Sequence, residues 1–344
     1  MTEAVVGERL RISRPRASVA EGPLYAALDL GTNNCRLLIA KPAGTGFRVV
    51  EAFSRITRLG EGLTVSGLLS DQAIGRTVAA LKVCAQRLDR TGAGRLRAVA
   101  TEACRQAANC EDFLGRVEDE TGILLEIIPG EEEARLALAG CASLLDRRLP
   151  QALVFDIGGG STELIAVSMA APDGEETVDA VWSLPIGVVS MAERYADDLH
   201  HPAGYAKVVD HLAGLLQPFD PDGRLGRCAA AGRLQLLGTS GTVTTLAGVH
   251  LNLSRYDRSL VDGLVMDFAD IVAVTHRLTR ASCADRAAHP CIGHERADLV
   301  VAGCAILDAI CRLWPVGALS VADRGVREGM LLSMMRADGL LATP

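Results

Sequence analysis

The sequence predicts an α/β protein built as two similar domains that face each other across a cleft. Two observations carry this reading. A strand, glycine turn, strand unit opens at residue 24 as LYAALDLGTNNCRLLIAK and again at residue 152 as ALVFDIGGGSTELIAVSM. Each copy runs on into a third strand and then into helical segments, so the second half restarts the first. At 344 residues the chain has the length of two ordinary domains.

The elements follow in order. Residues 24–41 alternate β-formers about a Gly-Thr-Asn-Asn tip and read as a hairpin, with FRVVEAFSR as the third strand. Residues 70–90 carry a Ser or Asp cap and apolar residues at helical spacing, and RLRAVA at 95–100 is a short buried strand. ILLEIIPG at 123–130 reads as a strand, and EEEARLALAGCASLL at 131–145 as a helix with acids in its first turn, where the macrodipole favours them. In the second half, DAVWSLPIG supplies a strand and residues 202–216 and 268–279 helices. Between those helices, RLQLLGTSGTVTTLAGV gives a strand, a glycine turn and a small-residue helix. ERADLVVAGCAILDAICRL at 295–313 reads as a helix packed between the domains, GALSVAD as a strand and residues 325–338 as the last helix. The expected division is a flexible arm at 1–22, a first domain at 23–133 and a second at 134–344, with the helix near 325–340 folding back on the first.

A hydrophobic share of 49% and a charged share of 22% describe a globular chain. The net charge of -7 and an aromatic share of 3% argue against nucleic acid as a partner, because neither a basic field nor a stacking platform is present. The first 22 residues have no continuous apolar run, so neither a secretory signal nor a membrane anchor is expected. Ten cysteines without a CxxC pair or Cys/His metal spacing fit a reducing cytoplasm. The seven histidines show no ligand spacing.

Three glycine turns carry the chemistry: DLGTNN (29–34), DIGGGST (156–162) and GTSGT (238–242). Glycine lets a backbone approach a ligand, and consecutive peptide N–H groups then form a nest for phosphate oxygens. Candidate phosphate contacts are therefore Gly31, Thr32, Asn33 and Asn34, then Gly158, Gly159, Gly160 and Ser161, then Gly238, Ser240, Gly241 and Thr242. Asp29 and Asp156 end apolar strands beside the first two turns. A carboxylate there would repel phosphate unless a divalent cation such as Mg2+ or a water stands between them. Asp29 could equally cap its own turn, and Glu163 could face either the cleft or solvent.

These stretches resemble the phosphate loops of the superfamily containing actin, sugar kinases and acetate kinase. With RLGEGL (58–63), ATEACRQAANCEDF (100–113), IIPGEEEARLALAG (127–140) and GVREGMLL (325–332), the chain is identified more narrowly as similar to the exopolyphosphatase/guanosine pentaphosphate phosphohydrolase (Ppx/GppA) family from residue 24 to 340. The resemblance implies two actin-like (ribonuclease H-like) domains, hydrolysis of the terminal phosphate of polyphosphate or, alternatively, of guanosine pentaphosphate, and inorganic polyphosphate or guanosine penta- or tetraphosphate as the partner. It further implies Mg2+ or another divalent cation, with room for a monovalent one, and a homodimer. It places Glu133 as the base that activates water, Arg105 on substrate phosphate, and Asp156, Glu163 and Asp29 at the metal. From the residues alone, Glu131, Glu132 and Glu133 are all candidates for the base, and Arg105 could be a structural ion pair. Asn34 stands where many relatives carry Ser or Thr. Longer relatives continue into an extra helical region not found here, so polyphosphate and the guanosine nucleotide remain alternatives. A phosphotransferase or an actin-like nucleotide sensor is a more remote reading.

Overall fold

A computed structural model describes residues 22–169 and 176–341. The arm expected at 1–22 lies, apart from Gly22, outside the described residues. Tyr25–Leu30 (β1), Asn34–Ala43 (β2), Gly46–Ile56 (β3), Arg95–Ala100 (β4) and Glu126–Ile127 (β5) form one sheet in the order β3-β2-β1-β4-β5. Gln151–Ile157 (β6), Thr162–Met169 (β7), Glu176–Leu184 (β8), Leu234–Thr239 (β9), Val265–Asp267 (β10) and Ala318–Ala322 (β11) form a second, in the order β10-β11-β9-β6-β7-β8. Without β10 the second sheet repeats the first. An antiparallel meander of three strands is followed by parallel neighbours that need helical crossovers. The chain thus folds as two actin-like (ribonuclease H-like) domains facing each other across a cleft.

Strand alternation explains how both faces of each sheet are covered. On β1, Ala26, Leu28 and Leu30 pack with Leu81 and Phe113 of two flanking helices. Tyr25 and Ala27 pack on the other face with Met330 and Met335 of the helix Val326–Ala337. The helix Gly130–Cys141 serves both sheets, with Leu136 and Ala137 in the first sheet's cluster and Ala134, Leu138 and Cys141 against Val154 and Ile165 of the second. It crosses Val326–Ala337 backbone to backbone. A Cβ on Gly140 would lie 2.1 Å from the Gly325 carbonyl oxygen, and one on Gly329 would lie 2.0 Å from that of Leu136. Only glycine permits so close a crossing beneath the cleft.

Several expectations are corrected. ILLEIIPG yields only the two residues of β5, because at the sheet edge only Val99 and Ala100 of β4 pair with it. The helix expected at 131–145 ends at Cys141 and passes into a 3-10 turn at Ala142–Leu144. The helix expected at 295–313 spans Val300–Leu313, and its small residues pack within the second domain's own core, with Phe155, Val243 and Leu319. It is therefore not an interdomain helix. Residues 295–299 instead form turns at the cleft. All ten cysteines are free thiols. Among the described residues no helix is long and apolar enough to cross a membrane.

Candidate active site

The first two glycine turns close identically. Gly31 N–H donates to the Asn34 carbonyl and Gly158 N–H to the Ser161 carbonyl, each at 2.9 Å. Their tips then touch each other across the cleft floor. A Cβ on Gly160 would lie 2.3 Å from Thr32 Oγ1, and one on Gly159 would lie 3.0 Å from the Asn33 nitrogen. The bare glycine run of the second turn is thus required first by the first turn. Both border a cleft of about 520 Å³, whose rim also holds Thr239, Ser240 and Gly241. Ser240 has φ 77°, in the left-handed region, and its hydroxyl bonds the Asp156 carboxylate. A serine keeps that conformation only where its surroundings impose it.

The three acids of GEEEAR point three ways, since successive helical residues are turned by about 100°. Glu131 is 66% exposed at its side chain and pairs with Arg135. Glu132 pairs with Arg97. Glu133 faces the cleft, where Arg105 donates to its Oε2 at 2.9 Å. Arg105 also donates to the Ile128 carbonyl at 2.9 Å and to Glu102 Oε2 at 2.7 Å. It does not line the cleft. Arg105 therefore holds Glu133 in place from behind the cleft lining.

A model of the Ppx/GppA phosphatase family matches residues 38–338. The chain belongs to the Ppx/GppA phosphatase family. It is 32% identical over 327 residues to Exopolyphosphatase 2 of Mycobacterium tuberculosis, covering 90% of this chain and 98% of that protein. It is 30% identical over 329 residues to the guanosine-5'-triphosphate,3'-diphosphate pyrophosphatase of Photobacterium profundum, covering 91% of this chain and 59% of that longer protein. The crystal structure of the Aquifex aeolicus Ppx/GppA family member superposes with a TM-score of 0.73 at 29% identity, covering 92% of this chain and 98% of that one.

In this Ppx/GppA chain Asp29, Glu133 and Asp156 line the cleft floor, with the buried Glu163 behind them. Burial pushes Glu133 up to about 8, with Asp29 and Asp156 reinforcing the shift and Arg105 opposing it. Burial likewise takes Asp156 up to about 6, against the Ser240 bond and the Arg36 charge. Glu163 is raised well above the ordinary carboxyl range by burial and by the charges of Glu133 and Asp156, although Ser183 Oγ donates to its Oε1 at 2.7 Å. Asp29 is raised by burial, with Arg36 pulling the other way. Alternation on β7 turns Glu163 inward and leaves it 1% exposed, behind Asp156 and off the open cleft surface. Asp29 stands across the strand pair from Arg36.

Two expected phosphate contacts do not line the main cleft itself. Gly238 sits inside β9, where a Cβ would meet the Phe155 ring at 2.7 Å, so its glycine serves strand packing. Thr242 faces Gly303 and lines a small side pocket with Arg36 and Arg296. Sequence reasoning missed the arginines that line the cleft, among them Arg36, Arg296 and Arg327. Arg36 was within reach of it, because period-two alternation puts Arg36 on the same face of β2 as Asn34. Arg296 and Arg327 have no local signal. Arg36 and Arg296 form no direct salt bridge among the described residues, but the Arg36 charge acts on Asp29 and Asp156, and Glu295 and Asp323 act on Arg296.

No group of three His, Cys, Asp or Glu among the described residues is arranged to hold a metal by itself, so Asp29, Asp156 and Glu163 do not form a ready cage. The residues nonetheless fit a divalent cation of the Mg2+ kind, which takes one or two carboxylates and completes its shell with water and substrate phosphate. Asp156 is the half-buried carboxylate that lines the cleft and would take that role, and the raised acids around it mark negative charge that a cation would offset.

Proposed function

We propose that this chain is an exopolyphosphatase that removes the terminal phosphate of inorganic polyphosphate, with water activated by Glu133. The observation that carries the reading is the placement of Glu133. It is a buried carboxyl, raised to about 8, fixed by Arg105 and aimed into a cleft floored by two glycine hairpins. Near neutrality such a carboxyl is matched to proton transfer. The turns' backbone N–H groups with Arg36, Arg296 and Arg327 receive the phosphoryl oxygens. Glu133 takes the proton from water, the water oxygen bonds to the terminal phosphorus, and the bond to the bridging oxygen breaks, leaving the shortened chain and phosphate. A divalent cation, when held at Asp156 with Glu163 behind it, offsets the charge on the phosphoryl and leaving oxygens.

Guanosine pentaphosphate is the second reading, favoured by the Photobacterium profundum relative. The match with the mycobacterial relative, which covers 98% of that protein, supports polyphosphate as the first reading. The proposal includes a division of the chain near residue 133, a homodimer and a reducing compartment.

The test is phosphate release, with Mg2+, from long-chain polyphosphate and separately from guanosine pentaphosphate, by the native chain and Glu133→Gln. Polyphosphate turnover that falls roughly 10²–10⁴-fold in the variant is expected. Release from the nucleotide alone moves the substrate to the second reading. Release from neither, or release unchanged in Glu133→Gln, overturns the proposal.

A further inference from the structure

The segment RLGEGL (58–63) is tied to both domains. Toward the first domain's hairpin, Thr57 and Arg58 N–H donate to the Asn33 carbonyl at 2.9 and 3.1 Å, and Gly60 N–H to the Thr32 carbonyl at 2.9 Å. The fit is close, since a Cβ on Gly60 would lie 2.3 Å from Thr32 Cγ2. Toward the second domain, the Arg58 guanidinium forks onto Asp298, with both N–H to O distances 2.9 Å, and reaches the Glu295 carbonyl at 3.0 Å. Gly62 N–H adds a bond to Glu193 Oε1 at 2.8 Å. Arg58 holds φ 49°, a left-handed backbone that a non-glycine residue keeps only under constraint.

The residues gripped by Arg58 bracket Arg296, with Glu295 before it and Asp298 two positions after. Arg296 lines the cleft from the second domain and Arg36 lines it from the first. Arg36 faces Asp29 and Asp156, and Glu295 and Asp323 act on Arg296, yet burial together with the Arg36 charge lowers the Arg296 pKa, so the two cations oppose each other across the gap. Repulsion between two guanidiniums that border one cleft favours opening, and a contact that spans the cleft mouth acts against it. A fork of two parallel N–H···O bonds is the geometry that combines such attraction with a fixed orientation.

We propose that the Arg58–Asp298 fork is an interdomain bolt, a positioning device that holds Arg296 against the first glycine hairpin so that the Arg36–Arg296 pair is preset for a polyanion. The bolt rests on the proposed phosphate chemistry only for its kinetic readout. Its structural readout is independent of turnover.

The experiment measures small-angle scattering of Arg58→Ala, Arg58→Lys and Asp298→Asn beside the native chain, each alone and with tripolyphosphate, together with KM and kcat for polyphosphate. In the bolt's absence the anion-free chain gains radius of gyration, and saturating tripolyphosphate returns it to the native value. KM rises roughly threefold to fivefold, as expected for losing a partly exposed forked pair, while kcat at saturation stays within about twofold. Arg58→Lys keeps the charge but loses the fork and falls between the two. If Arg58→Ala does not fold, Asp298→Asn on the partly exposed partner side decides the matter. Unchanged radius of gyration in both loss variants, or a fall in kcat with KM unmoved, overturns the bolt. A native chain that releases no phosphate defeats the proposed activity and leaves the scattering comparison to decide the bolt.

Discussion

In the first hairpin Asp29 stands opposite Arg36 across the β1–β2 ladder, whereas in the second Asp156 stands opposite Glu163 across β6–β7. The turns between them close with the same hydrogen bond, so each residue of one hairpin has a counterpart in the other. One cross-strand pair is charge-compensated and the other joins two acids, an arrangement that costs stability in an antiparallel pair. The two hairpins thus differ in charge: on the proposed activity the first would present a cation to phosphate and the second would hold negative charge that a cation balances.

The largest effect is expected from erasing that difference. Arg36→Glu gives the first hairpin the charge of the second, and kcat/KM for phosphate release should fall roughly 10³-fold, the scale of losing a preorganised phosphoryl donor. A loss under tenfold would mean that the hairpins' charges are not the division of labour described.

A smaller change makes the second hairpin less acidic. In Glu163→Gln the amide still accepts from Ser183, but the carboxylate behind Asp156 is gone. The Mg2+ concentration for half-maximal activity should rise roughly 10–100-fold, as when a supporting group behind a metal ligand is removed. An unchanged Mg2+ titration would detach Glu163 from the cation.

Between the hairpins, Glu133 sets the pH dependence. With its carboxyl raised to about 8, kcat/KM should climb roughly tenfold per pH unit below that value and level off above it. A flat profile from pH 6 to 9 would remove Glu133 as the base. Stability runs the opposite way. Asp156 moves from 3.8 to about 6 and Glu133 from 4.5 to about 8, so both hold protons more tightly when folded. Their contribution is complete below the ordinary carboxyl values and is lost as pH rises through the raised ones. The cation-free melting temperature should therefore decline between pH 5 and 8, and added Mg2+ should reduce the decline.

The mildest contrast separates the glycines. Gly160→Ala drives a methyl to 2.3 Å from Thr32 Oγ1, whereas at Gly31 the nearest atom is 3.7 Å away. The first should cost about 1–3 kcal/mol and the second little. Equal melting temperatures for the two variants would show that the hairpin tips are not packed as described.

Much of this was legible in the chain. The two hairpins and the helix at 70–90 announce themselves because strand alternation, glycine turns and helix caps are local signals. From the residues alone Glu133 was legible only as one of three adjacent acids, and it was the family resemblance that singled it out. Which of them faces the cleft depends on the rotation of a helix wedged between two sheets. The run at 295–313 carries helical composition throughout, yet Arg58 holds its first residues in turns from the other domain.

The sequence by itself determined the duplicated α/β units, the glycine turns and the acids beside them, since each is set by residues within a few positions of one another. Only the tertiary structure decided that Glu163 lies inward behind Asp156, that Arg105 orients Glu133, that Gly159 and Gly160 are bare for the sake of the first turn, and that Arg36, Arg296 and Arg327 supply the cleft's positive charge. Those facts join residues far apart along the chain, and burial, charge pairing and close backbone approach exist only once the two sheets have closed around their shared helix.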